Sequence, residues 1–155
     1  MSKLKFILLL SGVFILTAIS AFLFEEYYRE FVRFFFKSFN GNKIIFVGKN
    51  FHLLPSYSFV ISFGLFSVLI GIFIFRQKSK RLIANILWTF IVFCLSTMTT
   101  SYFDSQFKIA ECTSCKDNIV SLHYNNINYD YHFICGLTLA LIFFMLKYYD
   151  KMGID

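Results

Sequence analysis

The chain has one proline, one tryptophan and seven glycines in 155 residues. That scarcity excludes Pro-rich or Gly-rich linkers and collagen-like repeats, and no low-complexity segment or internal repeat is visible. Charge is also sparse. Only 15% of the residues are Asp, Glu, Lys or Arg, and acids number nine against fifteen bases. Four runs contain almost none of them: Leu4–Phe24, Ser56–Phe75, Leu82–Ser101 and about Tyr131–Leu146. No Asp, Glu, Lys, Arg or His lies near the centre of any run, which argues against a proton relay or an ion-coupled pathway.

Aromatic and aliphatic residues fill the space that charge leaves. Twenty-three Phe and nine Tyr stand among a 57% hydrophobic composition. The mean hydropathy of +0.64 is too high for a soluble domain of this size. The three longer runs match the ~20 residues a helix needs to cross a hydrocarbon core, and the fourth reaches that length with its Tyr129–His132 shoulder. The predicted fold class is an all-α membrane protein. It is a single integral domain with a four-transmembrane-helix bundle, an outer amphipathic helix and short β-hairpins in two loops, Glu25–Pro55 and Tyr102–Asp130.

Basic residues cluster at Lys3 and Lys5, at Arg76, Lys78, Lys80 and Arg81, and at Lys147 and Lys151, eight of the fifteen. Dense basic segments beside short connections face the cytoplasm, so both termini are expected inside and both long loops outside a cell membrane, the inner membrane in a bacterium. The basic residues of the first loop, such as Arg29, Arg33 and Lys37, are spread out and partly balanced by Glu25, Glu26 and Glu30. The N-terminal run with Ala18 and Ser20 resembles a cleavable signal, but its length and the even number of crossings favour a retained first span. The positive charge is not arranged as an aromatic-interleaved basic face, and no nucleic acid is expected as a partner.

Residues Glu25–Phe39 read as an amphipathic helix. At ~100° per residue, Glu25, Glu26, Arg29, Glu30, Arg33 and Lys37 share one arc, and Tyr27, Tyr28, Phe31, Val32, Phe34, Phe35 and Phe39 take the rest. Such a helix is expected to lie on the outer leaflet after an elbow, with Tyr27, Tyr28, Phe31 and Phe35 as lipid or partner contacts. Asn40-Gly41-Asn42 is its stop signal. Two β-hairpins are expected, Lys43–Val47 with Phe51–Leu54, and Ile119–Tyr124 with Ile127–Tyr131, their strands pairing with one another or resting on the bundle. Small residues at helical spacing, Ser58/Ser62, Ser67/Gly71 and Gly136/Ala140, favour close helix packing. Hydroxyls of Ser96–Ser101 are expected to bond their own helix backbone, with a polar vestibule as the other reading.

One constellation has possible chemistry. Cys112-Thr-Ser-Cys115 is a C-x-x-C, and His52, His123 and His132 fall on the same side of the membrane. The leading reading is a disulfide between Cys112 and Cys115, or from one of them to an assembly partner. A redox reading makes Cys112 the attacking thiolate and Cys115 the resolving thiol. In C-x-x-C and helix count the chain is similar to quinone-linked thiol oxidases of the DsbB and vitamin K epoxide reductase type. Those enzymes use a second cysteine pair, whereas Cys94 and Cys135 here lie inside spans. A metal reading takes Cys112, Cys115, His123 and His132 or His52 as a Cys₂His₂ set, with C-x7-H and H-x8-H gaps looser than a compact zinc module. Lys116 after Cys115 speaks against covalent haem. His132 beside Asp130, Tyr129 and Tyr131 fits an interfacial belt better than an acid/base role.

No cofactor is implied. The function expected is a non-catalytic subunit or scaffold of a larger cell-envelope complex, with membrane lipids and other membrane subunits or a second copy as partners. An outward-facing thiol–disulfide oxidoreductase is the alternative, and a lipid or small-molecule transport component is a further one.

Overall fold

The computed structural model describes residues 3–48, 56–76, 82–112 and 119–149. They form four helices, α1 (Lys3–Asn40), α2 (Tyr57–Arg76), α3 (Leu82–Glu111) and α4 (Tyr129–Tyr149), and two short strands, β1 (Ile44–Val47) and β2 (Val120–His123). α1, α3 and α4 are long and apolar enough to cross a membrane, and α2 contributes a shorter apolar helix over Tyr57–Phe73.

The first correction concerns α1. Instead of a span, an elbow and a separate helix, it is one helix of 38 residues, ~57 Å at 1.5 Å per residue. Nothing between Phe24 and Tyr28 breaks it: the segment holds no Gly or Pro, and Glu is a good helix former. It ends where the stop signal stands, with Gly41 in the left-handed region at φ +53°. α3 likewise runs on to Glu111, beyond the Ser101 boundary expected for its apolar run.

The second correction concerns the strands. β1 and β2 pair with each other, one of the two expected arrangements, but in parallel, Ile44 opposite Val120 and Phe46 opposite Leu122, and β2 does not form the expected hairpin. The Tyr124–Asn126 segment is a single 3₁₀ turn, and Tyr129 already begins α4, so the chain enters a helix where a return strand was expected. The partner strand expected at Phe51–Leu54 lies outside the described residues. Parallel pairing follows from the order of elements. Each strand comes after one long helix and before the next, so helix–strand–helix occurs twice although the sequence shows no repeat.

α1 packs chiefly on α2, and α3 on α4. Gly64 allows the first contact: a Cβ there would lie 2.5 Å from the Phe14 ring. Gly136 allows the second, with Thr97 Oγ1 and the Phe93 ring at 2.9 and 3.0 Å from a Cβ. The pairs join through an aromatic core. Phe59 stacks on Phe133 at 3.8 Å between centroids, and Tyr28 meets Phe133 edge-on at 5.0 Å. α1 then crosses toward α4 and α3: Arg29 lies over Tyr129, Phe36 meets His132, and Asn40 meets Gln106.

Candidate functional site

Polar side chains gather where the strands cap the bundle. Ser56 is their junction. It precedes α2, and its Oγ accepts the Phe59 N–H at 3.1 Å as an N-cap. The same hydroxyl donates to Asp130 Oδ1 at 2.7 Å in the first turn of α4. Its backbone N–H donates to Glu25 Oε2 at 3.0 Å on α1. One serine thus ties three helices together, and both carboxylates stand at helix N-termini, where negative charge is favoured.

Glu25 is 3% exposed, and its other oxygen receives Arg29 Nε and Nη2 at 2.9 and 2.6 Å. The Arg29 guanidinium lies 4.5 Å from the centroid of Tyr129, and Arg33 lies 5.2 Å from that of Tyr124. Tyr129 in turn donates its hydroxyl to the Tyr124 carbonyl at 3.0 Å. Glu25, Arg29 and Arg33, expected on the polar arc of an amphipathic helix, are buried under the cap. An open cleft of about 280 Å³ remains beside them, lined by Arg29, Ser56, Asn125, Asn128, Tyr129 and Asp130 among others.

A second polar group braces α3 to α4. His132 is fully buried, and its Nε2 lies 3.1 Å from Asp104 Oδ2. Its Nδ1 is enclosed without a hydrogen-bond partner. A carboxylate-oriented imidazole could act as a base only through that nitrogen, which is shut off from solvent. The pair therefore serves as an interhelical brace. Nearby, Gln106 Nε2 donates to Asn40 Oδ1 at 2.9 Å and joins α3 to the end of α1.

The other residues singled out from the sequence scatter. Cys112 follows the end of α3 and packs half-buried on the core, while Cys115 and His52 lie outside the described residues. His123 is exposed at the end of β2, with Nδ1 accepting the Asn125 N–H. Among the described residues no three His, Cys, Asp or Glu side chains gather as a metal site. Cys94 and Cys135 are free thiols. Tyr27 is 71% exposed, Phe31 and Phe35 are half-buried, and Tyr28 is sealed in the core with no surface to offer a partner.

Ser67 bonds its own helix at Phe63, Gly71 faces Leu10 at an ordinary 3.7 Å, and Ala140 is buried. The hydroxyls of Ser96, Thr99, Thr100 and Ser101 bond carbonyls of their own helix, as expected, whereas the buried Thr97 Oγ1 makes no such bond. Sequence reasoning missed Ser56, Asn40, Asp104 and Gln106 as cap residues. A serine just before an apolar run is an N-cap signal, and Asp104 is the one acid between Leu82 and Gln106, so part of this could have been found.

Fold and site together define a four-helix protein with a small parallel two-stranded cap, its polar contacts tying the helices together at that end. No protein-family model matches the chain, and neither the curated proteins nor the solved structures include a match to it.

Proposed function

We propose that this is a small integral membrane protein, with both termini cytoplasmic and the strand cap outside, that serves as a non-catalytic subunit or scaffold of a cell-envelope assembly. One observation carries the reading. Large apolar side chains are exposed on all four helices, Leu16, Leu23, Leu65, Leu95 and Leu139 among them, while the Glu25–Arg29, Ser56–Asp130 and His132–Asp104 contacts join neighbouring turns or neighbouring helices. Such a surface suits lipid and neighbouring subunits. Spacing along α3 supports the non-catalytic side of the reading, since eighteen residues separate Cys94 from Cys112, ~27 Å of helix rise, too far for direct thiol exchange between them.

The test is purification in mild detergent with in-membrane crosslinking. Co-purification with a defined larger complex, retained in Cys112→Ser, is the expected result. A strictly monomeric protein without crosslinked neighbours overturns the scaffold reading.

A further inference from the structure

The outer half of α1 has two unlike flanks on either side of its buried face. One carries the exposed Glu26, Glu30 and Lys37. The other carries a chain of ring contacts, Phe31 to Phe35 at 4.6 Å, Phe35 to Phe39 at 5.8 Å, and Phe39 to Tyr102 of α3 at 5.3 Å. Phe34, 64% exposed, joins the chain through Phe35 at 5.6 Å.

Below this aromatic flank the seam between α1 and α3 opens into an apolar groove of about 180 Å³, lined by Tyr27 and Phe31 from one helix and Phe90, Phe93 and Cys94 from the other. Phe24, which lines this groove too, joins Phe90 and Phe93 in lining a second apolar groove of about 160 Å³, which reaches Phe63 of α2 and Leu137 of α4. The two grooves therefore share a wall, and the seam leads from the aromatic flank into the bundle.

We propose that the α1/α3 seam binds one acyl chain of an outer-leaflet phospholipid, with the aromatic flank of α1 lying in the interfacial zone above it. This rests on the reading of the chain as a membrane protein. Continuity argues for the occupant: the groove opens among exposed apolar side chains, Leu23 and Tyr27 on α1 and Phe90 and Leu95 on α3, the same belt that lipid covers under that reading. The lining also disfavours an extended peptide, because the Tyr27 and Tyr28 hydroxyls do not face the groove and its apolar walls leave peptide N–H and C=O groups without partners. Lys43, exposed on the 3₁₀ turn beyond α1, is a cation at the outer end where a phosphate layer would lie, while Lys37 is on the flank away from the rings.

The test uses the full chain in phosphatidylcholine vesicles whose acyl chains are brominated near the glycerol end. Trp88, 55% exposed on α3, is the only tryptophan of the chain and reports on the membrane reading by itself. Tyr27→Trp and Phe31→Trp, each with Trp88→Phe, report on the mouth and the wall of the groove. Both variants are expected to lose most of their tryptophan emission, as is the parent chain with Trp88 alone. An unquenched Tyr27→Trp variant beside a quenched parent overturns the lipid site and leaves the membrane reading standing. An unquenched parent overturns both. A quenched Tyr27→Trp variant with an unquenched, folded Phe31→Trp variant also overturns the site, because the groove then holds no chain. Should Phe31→Trp not fold, Phe90→Trp with Trp88→Phe reports on the opposite wall in its place, with the same two outcomes.

Discussion

Replacing Ser56 by alanine is expected to loosen α2 from the bundle, and the size of the effect follows from what the hydroxyl does. The backbone N–H to Glu25 survives the substitution, but the N-cap contact with Phe59 and the hydrogen bond to Asp130 are lost. A lost serine N-cap costs ~1 kcal/mol, and a hydrogen bond to a charged group contributes about 1.5–3 kcal/mol. Ser56 and Asp130 are only half-buried, so the lower part of that range applies. The expected total is roughly 2–3 kcal/mol. It can be read as the shift in unfolding of purified protein when mixed micelles are titrated with a denaturing detergent, followed by circular dichroism. Ser56→Thr keeps both contacts and should unfold close to the parent chain. A double-mutant cycle with Asp130→Ala should give a coupling of about 1–2 kcal/mol. Destabilisation by Ser56→Ala below ~0.5 kcal/mol, or a coupling indistinguishable from zero, refutes the three-helix junction.

The same unfolding assay checks the helix contacts. Gly136→Ala should cost about 1–3 kcal/mol, because its methyl group meets Thr97 and Phe93, whereas Gly71→Ala, with Leu10 at 3.7 Å, should be nearly neutral. Asp104→Ala leaves the buried His132 without its partner and is expected to cost about 1–3 kcal/mol, with Asp104→Asn recovering part of the loss. For the thiols, a redox titration with gel-shift labelling should find the Cys112/Cys115 pair oxidised down to roughly −300 mV, the behaviour of a structural disulfide. Titration between about −120 and −270 mV would instead favour the oxidoreductase alternative. Orientation is open to cysteine labelling in intact cells: a reagent that does not cross membranes should reach Ile45→Cys at the cap and miss Lys78→Cys between the second and third apolar runs.

Much of the fold is legible in single residues and short windows. The long runs without charge determine that helices of spanning length form, since a helix satisfies its own backbone and apolar side chains need no partner to select it. The end of α1 is written in Asn40-Gly41, because glycine adopts a positive φ without a Cβ penalty. The own-backbone bonds of the α3 hydroxyls are local as well. What the sequence alone determined is therefore the part of the structure that lies within a few residues of itself.

The tertiary structure decided the rest. Whether Glu25 begins a solvated helix or continues a buried one depends on Arg29 one turn away and on Ser56 thirty-one residues away, and only the second is invisible to periodicity. The partner of β1 is β2, seventy-six residues on, and no local turn signal specifies a parallel strand. His132 and Asp104 are twenty-eight residues apart, and each looks like a boundary residue until the ends of α3 and α4 meet. In each case a charge or a hydrogen-bonding group inside the protein must find a partner. The sequence shows which groups carry that need, but the packing of the helices determines which of them come within reach.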